Sequence, residues 1–132
     1  MIIARIDEDE LSFEGADWQN DQLTAKSKNF GKYIVAVDTI SPEIVPVNFT
    51  ENKMYVDGES IVFKVIDKIS GIKSYNAYIN DKWALLEYDA KSDLMIYRVD
   101  KDRLLKGLTY SIKLHVVDRM NNIAIFESQF VY

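Results

Sequence analysis

No cysteine, one histidine, two prolines and five glycines occur among the 132 residues of the chain. Without cysteine there are no disulfides, no thiolate metal ligands and no thiol nucleophiles. With His115 as the sole imidazole, a zinc site would need three carboxylates beside it, an uncommon set. A Ser-His-Asp relay lacks the strand–turn–helix elbow that sets up its nucleophile. The chain is therefore read as non-catalytic and as carrying no cofactor. Basic residues are also scarce: 16 Lys and Arg stand against 21 Asp and Glu, a net charge of −5. That balance offers no grip on a phosphate backbone and none on an anionic lipid surface. No apolar run approaches the roughly 20 residues of a spanning helix, so membrane insertion is not expected.

What is present is alternation with a period of two. SIVFKVID (60–67) places Ile61, Phe63 and Val65 on one face and Lys64 on the other. YSIKLHVVD (110–118) points Ile112, Leu114 and Val116 inward, with Lys113 and His115 outward. KYIVAVD (32–38) has the same form, and in IAIFESQFVY the residues Ala124, Phe126, Ser128 and Phe130 oppose Ile123, Ile125, Glu127 and Gln129. Turn signals (TISP, VDG, ISG, IND, DAKSD, LKG, RMNN) separate these runs at short intervals. Short alternating strands with such punctuation predict an all-β chain folded as an immunoglobulin-like sandwich.

Asn80-Asp81 predicts a two-residue hairpin loop, since both residues tolerate positive φ. Tyr78 then pairs with Trp83, Ala77 with Ala84 and Tyr75 with Leu86. Tyr75, Ala77, Ile79, Ala84 and Leu86 form a core face, and Asn76, Tyr78, Trp83 and Leu85 an amphipathic outer face. LMIYRV (94–99) is expected to add a third strand to this meander. Two prolines in DTISPEIVP (38–46) mark a boundary, because each removes a ladder donor. Residues 1–40, with strands at 2–6, 11–14 and 32–38, are read as the tail of a preceding module packed on the sandwich. Residues 41–132, with about seven strands, are read as the sandwich itself.

An ordered succession of motifs runs through residues 28–125. It comprises Phe30-Gly31-Lys32-Tyr33, Asp38-Thr39, Pro42, Asp67, Ser70-Gly71-Ile72, Ser74-Tyr75, Lys82-Trp83, Glu87-Tyr88-Asp89, Lys91, Lys106-Gly107 and Asp118. This succession resembles the C-terminal immunoglobulin-like accessory region of lysostaphin-like zinc murein endopeptidases of Gram-negative bacteria. Asp81 and Asn121 stand where that pattern has glycine, and Tyr110 where it often has histidine. The H-x-x-x-D and H-x-H zinc motifs of such enzymes are not in this chain. The resemblance implies a non-catalytic accessory or interaction domain of a peptidoglycan-directed metallopeptidase. Its partners would be an upstream peptidase domain or another cell-envelope protein, with peptidoglycan as a further candidate. Its location would be periplasmic, extracellular or on the cell surface. A carbohydrate-binding module and a structural spacer in a tandem adhesin-like array are the alternatives.

Two groups of residues invite a site. Asp38, Asp67 and Asp118 share a strand-end position (VAVD, KVID, HVVD), and a calcium ion needs six to eight oxygens of this kind. The favoured reading is that each carboxylate accepts N–H groups of its own turn. Tyr78 and Trp83, with Tyr88 nearby, are candidates for stacking on sugar rings or contacting a partner, against the commoner role of cross-strand packing. DEDE (7–10) is read as a solvated turn and His115 as a surface residue.

Overall fold

The computed structural model describes residues 1–132 and is all-β. Thirteen strands follow in chain order: β1 (Ile2–Asp7), β2 (Glu10–Gly15), β3 (Asp17–Gln19), β4 (Gln22–Thr24), β5 (Lys32–Ala36), β6 (Glu43–Pro46) and β7 (Ser60–Ile66). After these come β8 (Ile72–Ile79), β9 (Lys82–Ala84), β10 (Glu87–Asp89), β11 (Leu94–Arg98), β12 (Thr109–Asp118) and β13 (Ile123–Val131). Eight of them make a sandwich of two four-stranded antiparallel sheets, β10-β11-β7-β6 and β13-β12-β8-β9. Labelled A to G in immunoglobulin fashion, with β9 as C′, these are the ABED and GFCC′ sheets of that fold.

The alternation explains the layers. Ile61, Phe63 and Val65 of β7 face Ile112, Leu114 and Val116 of β12, and all six are essentially inaccessible to solvent. Phe130 packs edge-on to Tyr55 at 5.8 Å and stacks on Tyr110 at 5.7 Å. Phe49, Phe63 and Phe126 close the other end of the core. Burying each such side chain stabilises the fold by about 1.5–3 kcal/mol relative to leaving it in water.

The Asn80-Asp81 loop forms as expected, with φ of 46° and 63°, and sets Tyr78 opposite Trp83 and Ala77 opposite Ala84. The expected extension of this meander is corrected. β9 ends at Ala84, so Tyr75 has no ladder partner at Leu86, and β11 pairs with β7 and β10 in the opposite sheet. The chain crosses between sheets at Leu85–Leu86, where Leu85 turns outward and Leu86 drops into the core. Sheet crossing leaves the apolar/polar parity intact, so alternation alone does not reveal it.

Tyr110 occupies the start of β12. Its Oη accepts the Leu105 N–H at 2.7 Å and donates to the Leu105 carbonyl at 3.1 Å. This is the corner tie found where strand F of immunoglobulin-like sandwiches begins. A tyrosine here therefore has a structural role that an imidazole at the same position would not reproduce.

Before the sandwich, β2-β1-β5 form a three-stranded sheet and β3-β4 a small hairpin that the alternation did not reveal. Glu8 and Asp9 adopt positive φ in the tight β1–β2 turn, and Arg5 pairs with Asp7 and with Glu14. Gly15 is required by close approach, because a Cβ there would lie 2.7 Å from the Ala25 Cβ. Ile2 and Ala4 are fully buried but lie outside the sandwich core, whose most N-terminal buried member is Phe49. This sheet meets the sandwich through loops: Arg119 lies 4.8 Å over the Phe13 ring, and the Met1 ammonium reaches the Met120 sulfur at 3.6 Å.

Candidate functional site

Three turns converge where the N-terminal sheet joins the sandwich. Asp38 lies between β5 and β6, Asp67 follows β7, and Asp118 ends β12, so the linker and both sandwich sheets each contribute one aspartate. One oxygen from each carboxylate lies within 4.8 Å of the others. Asp38 and Asp118 are buried and Asp67 is half-buried.

Each carboxylate is held by N–H groups of its own turn, as the favoured reading anticipated. Asp67 Oδ1 accepts from the N–H groups of Ile69, Ser70 and Gly71 at 2.8–3.1 Å. Asp118 Oδ1 accepts from Met120 and Asn122, and its Oδ2 accepts from the Asn122 side-chain amide at 2.7 Å. Asp38 Oδ1 accepts from Ile40 N–H, while its Oδ2 accepts from Ser70 N–H at 3.2 Å. Asn122 Nδ2 also donates to the Asp38 carbonyl at 3.1 Å. Turn-capping and convergence therefore hold together. Gly71 (φ 79°) and Asn121 (φ 64°) supply the left-handed backbone that the two turns need, asparagine being among the few residues besides glycine that adopt it readily.

No lysine, arginine or histidine forms an ion pair with any of the three carboxylates; the ion pairs lie elsewhere. Arg119, on the Asp118 turn, is directed onto Phe13. At an effective dielectric near 20, like charges this close repel by on the order of 3 kcal/mol per pair. The N–H groups offset part of that. Ser70 adds a second anomaly. Its residue is fully buried, and its Oγ has no hydrogen-bond partner. Reading the strand ends found the three aspartates but not Ser70 or the bridging Asn122, because their positions depend on how the sheets stack.

The second candidate surface is the outer face of the β13-β12-β8-β9 sheet. Trp83 is 61% exposed, and its indole N–H donates to Asn76 Oδ1 at 3.2 Å, which fixes the ring. Tyr78 sits beside it across the strand pair, whereas Leu85, also exposed, lies with Glu87, Ile96 and Arg98 of the opposite sheet. Ile123 and Ile125 are exposed on the far strand of the same sheet. Trp83 also borders a cleft of about 260 Å³ lined by Lys82, Tyr97, Arg103, Leu104 and Tyr110. Burial pushes the Tyr97 phenol above its usual value. Tyr88 is not part of this surface: it packs against Tyr75 at 5.3 Å beneath the sheet. His115, half-buried, shares the outer face of this sheet between Asn76 and Ile125.

No family model matches the chain, and no curated protein matches it. Its backbone is similar to part of an endo-beta-1,4-mannanase from Thermotoga petrophila, at a TM-score of 0.53 and 10% identity over 71% of this chain. The matched region is 20% of the mannanase, so the chain spans about a fifth of that enzyme's length. CopC from Methylosinus trichosporium OB3b aligns with 67% of this chain and 91% of its own, at 12% identity and a TM-score of 0.47. At 10% identity the likeness to the mannanase is one of fold: a β-rich, sandwich-like architecture.

Proposed function

We propose that this chain is a non-catalytic, immunoglobulin-like interaction domain serving a peptidoglycan-directed metallopeptidase of the cell envelope, in the periplasm or at the cell surface. The observation that carries the reading is the exposed sheet face around Trp83, an indole hydrogen-bonded to Asn76 with Tyr78 beside it. Amphipathic aromatic side chains of this kind anchor recognition at low entropic cost. The motif succession from Phe30 to Asp118 supplies the peptidase association, by resemblance. The gene tests that association. A reading frame with H-x-x-x-D and H-x-H upstream of residue 1 is expected, and a frame without them overturns it.

A second reading has one specific observation in its favour. Trp83 borders a cleft whose other walls include Tyr97, Tyr110 and Arg103, a mixture of rings and donors suited to a sugar. In that case glycan, rather than a protein partner, is the ligand, and it sits at the β9 edge of the sandwich, where inward-facing Ile79 and Ala84 also line the cleft. Binding to soluble glycan fragments that is lost in Trp83→Ala supports this reading; wild-type chain that ignores such fragments removes it.

A further inference from the structure

We infer that Asp38, Asp67, Asp118 and Ser70 form a calcium site that ties the N-terminal sheet to both sheets of the sandwich. Four observations meet there. The three carboxylates arrive from the linker and from the ends of β7 and β12, and their oxygens lie no more than 4.8 Å apart. No basic side chain pairs with them, although Lys68 and Arg119 lie on the same turns. Asp67 Oδ2 receives no hydrogen bond, whereas its Oδ1 receives three.

The fourth observation is independent of the carboxylates. Ser70 N–H lies between Asp38 Oδ2 and Asp67 Oδ1, at 3.2 and 2.9 Å. The Ser70 hydroxyl is three bonds from that nitrogen, fully buried and unpartnered. A buried hydroxyl without a partner is destabilising. Beside a bound cation its lone pair becomes a ligand, and its proton can turn toward a carboxylate oxygen.

Size and donor type select the ion. All donors are oxygen, which suits a hard cation and disfavours zinc or copper. Three oxygens spread over at most 4.8 Å can share a centre at about 2.4–2.8 Å, overlapping calcium–oxygen bonds of about 2.3–2.6 Å. Magnesium, at about 2.1 Å, would require the turns to contract. The N–H bonds already made leave Asp67 Oδ2 free and one lone pair each on Asp38 Oδ2 and Asp118 Oδ2, whereas Asp67 Oδ1 and Asp118 Oδ1 are taken up by their turns. Water completes the coordination on the Asp67 side, where the cluster is open to solvent.

Because Asp38 belongs to the linker, occupancy fixes the angle between the N-terminal sheet and the sandwich. Calcium outside the cell then stiffens the join.

Chain stripped with EDTA and titrated with CaCl2 by calorimetry is expected to bind one ion, and its melting midpoint to rise by about 5–10 °C at saturation. MgCl2 at the same concentration is expected to raise it by less than half as much. Asp67→Asn keeps an Oδ1 for the three N–H groups but loses the open charged oxygen, so it should fold and lose the calcium response. Ser70→Ala should weaken calcium affinity about tenfold while leaving the stripped protein at least as stable as wild type. A wild-type midpoint that is the same within 1 °C in EDTA and in 5 mM CaCl2 overturns the inference. So does a full calcium response in Asp67→Asn.

Discussion

Replacing Tyr110 with phenylalanine isolates the corner tie that begins β12. The ring stays, and with it the stacking on Phe130 at 5.7 Å. What goes is one hydroxyl and two hydrogen bonds, both to the backbone of Leu105, at 2.7 and 3.1 Å. Each such bond is worth about 1 kcal/mol net. Leu105 is 72% exposed, so water can reach part of the vacated backbone and soften the loss. The expected cost is therefore about 1–2 kcal/mol. Unfolding entropy of about 2.1 cal/mol/K per residue over this chain turns that into a melting shift of about 4–7 °C. Urea unfolding followed by tryptophan fluorescence reads it as a lower midpoint with an unchanged slope. A Tyr110→Phe protein within about 0.3 kcal/mol of wild type refutes the corner as a stabilising element. A changed slope would mean instead that the unfolded ensemble had moved.

Other perturbations follow from the same structure. Asp118→Ala removes a fully buried carboxylate that accepts three hydrogen bonds and leaves the half-buried Met120 and Asn122 donors unpaired, so it should cost about 3 kcal/mol in chemical denaturation. A loss under 1 kcal/mol would contradict the pairing described. Gly71→Ala meets no clash, since the nearest atom to the new Cβ is 3.9 Å away, but it must hold φ near 79°. The expected loss is about 1 kcal/mol from backbone strain alone, and an unchanged midpoint would show that the turn relaxes. Burial raises the phenols of Tyr97 and Tyr55 above their ordinary value of 10.0. The unfolded phenols ionise first, so stability is complete below pH 10 and falls as pH rises above it. Tyr97→Phe should flatten that decline in melts between pH 9 and 11, and an identical slope would remove Tyr97 from the account.

Much of the sandwich was legible because one physical constraint repeats. In β7, β12 and β13 every second side chain must leave water, and the alternation of Ile61, Phe63 and Val65 states this directly. The Asn80-Asp81 loop was legible for a different reason, since few residue pairs accept two successive positive φ values. The crossing at Leu85–Leu86 was not, because parity is blind to which sheet a strand joins. The hairpin of β3 and β4 was missed because five of its six residues are exposed and leave no apolar stripe. At the aspartate cluster, strand ends and parity pointed to Asp67 and Asp118. Their meeting with Asp38 over the buried Ser70 depends on how the two sheets stack, which no local pattern records.

The most direct test of the proposed role is co-sedimentation of the chain with purified peptidoglycan sacculi, wild type against Trp83→Ala. Equal melting midpoints should first establish that both proteins are folded. The wild type is expected in the pellet and Trp83→Ala largely in the supernatant. Wild-type chain that stays in the supernatant, or a variant that pellets equally well, would contradict recognition of peptidoglycan by the Trp83 face.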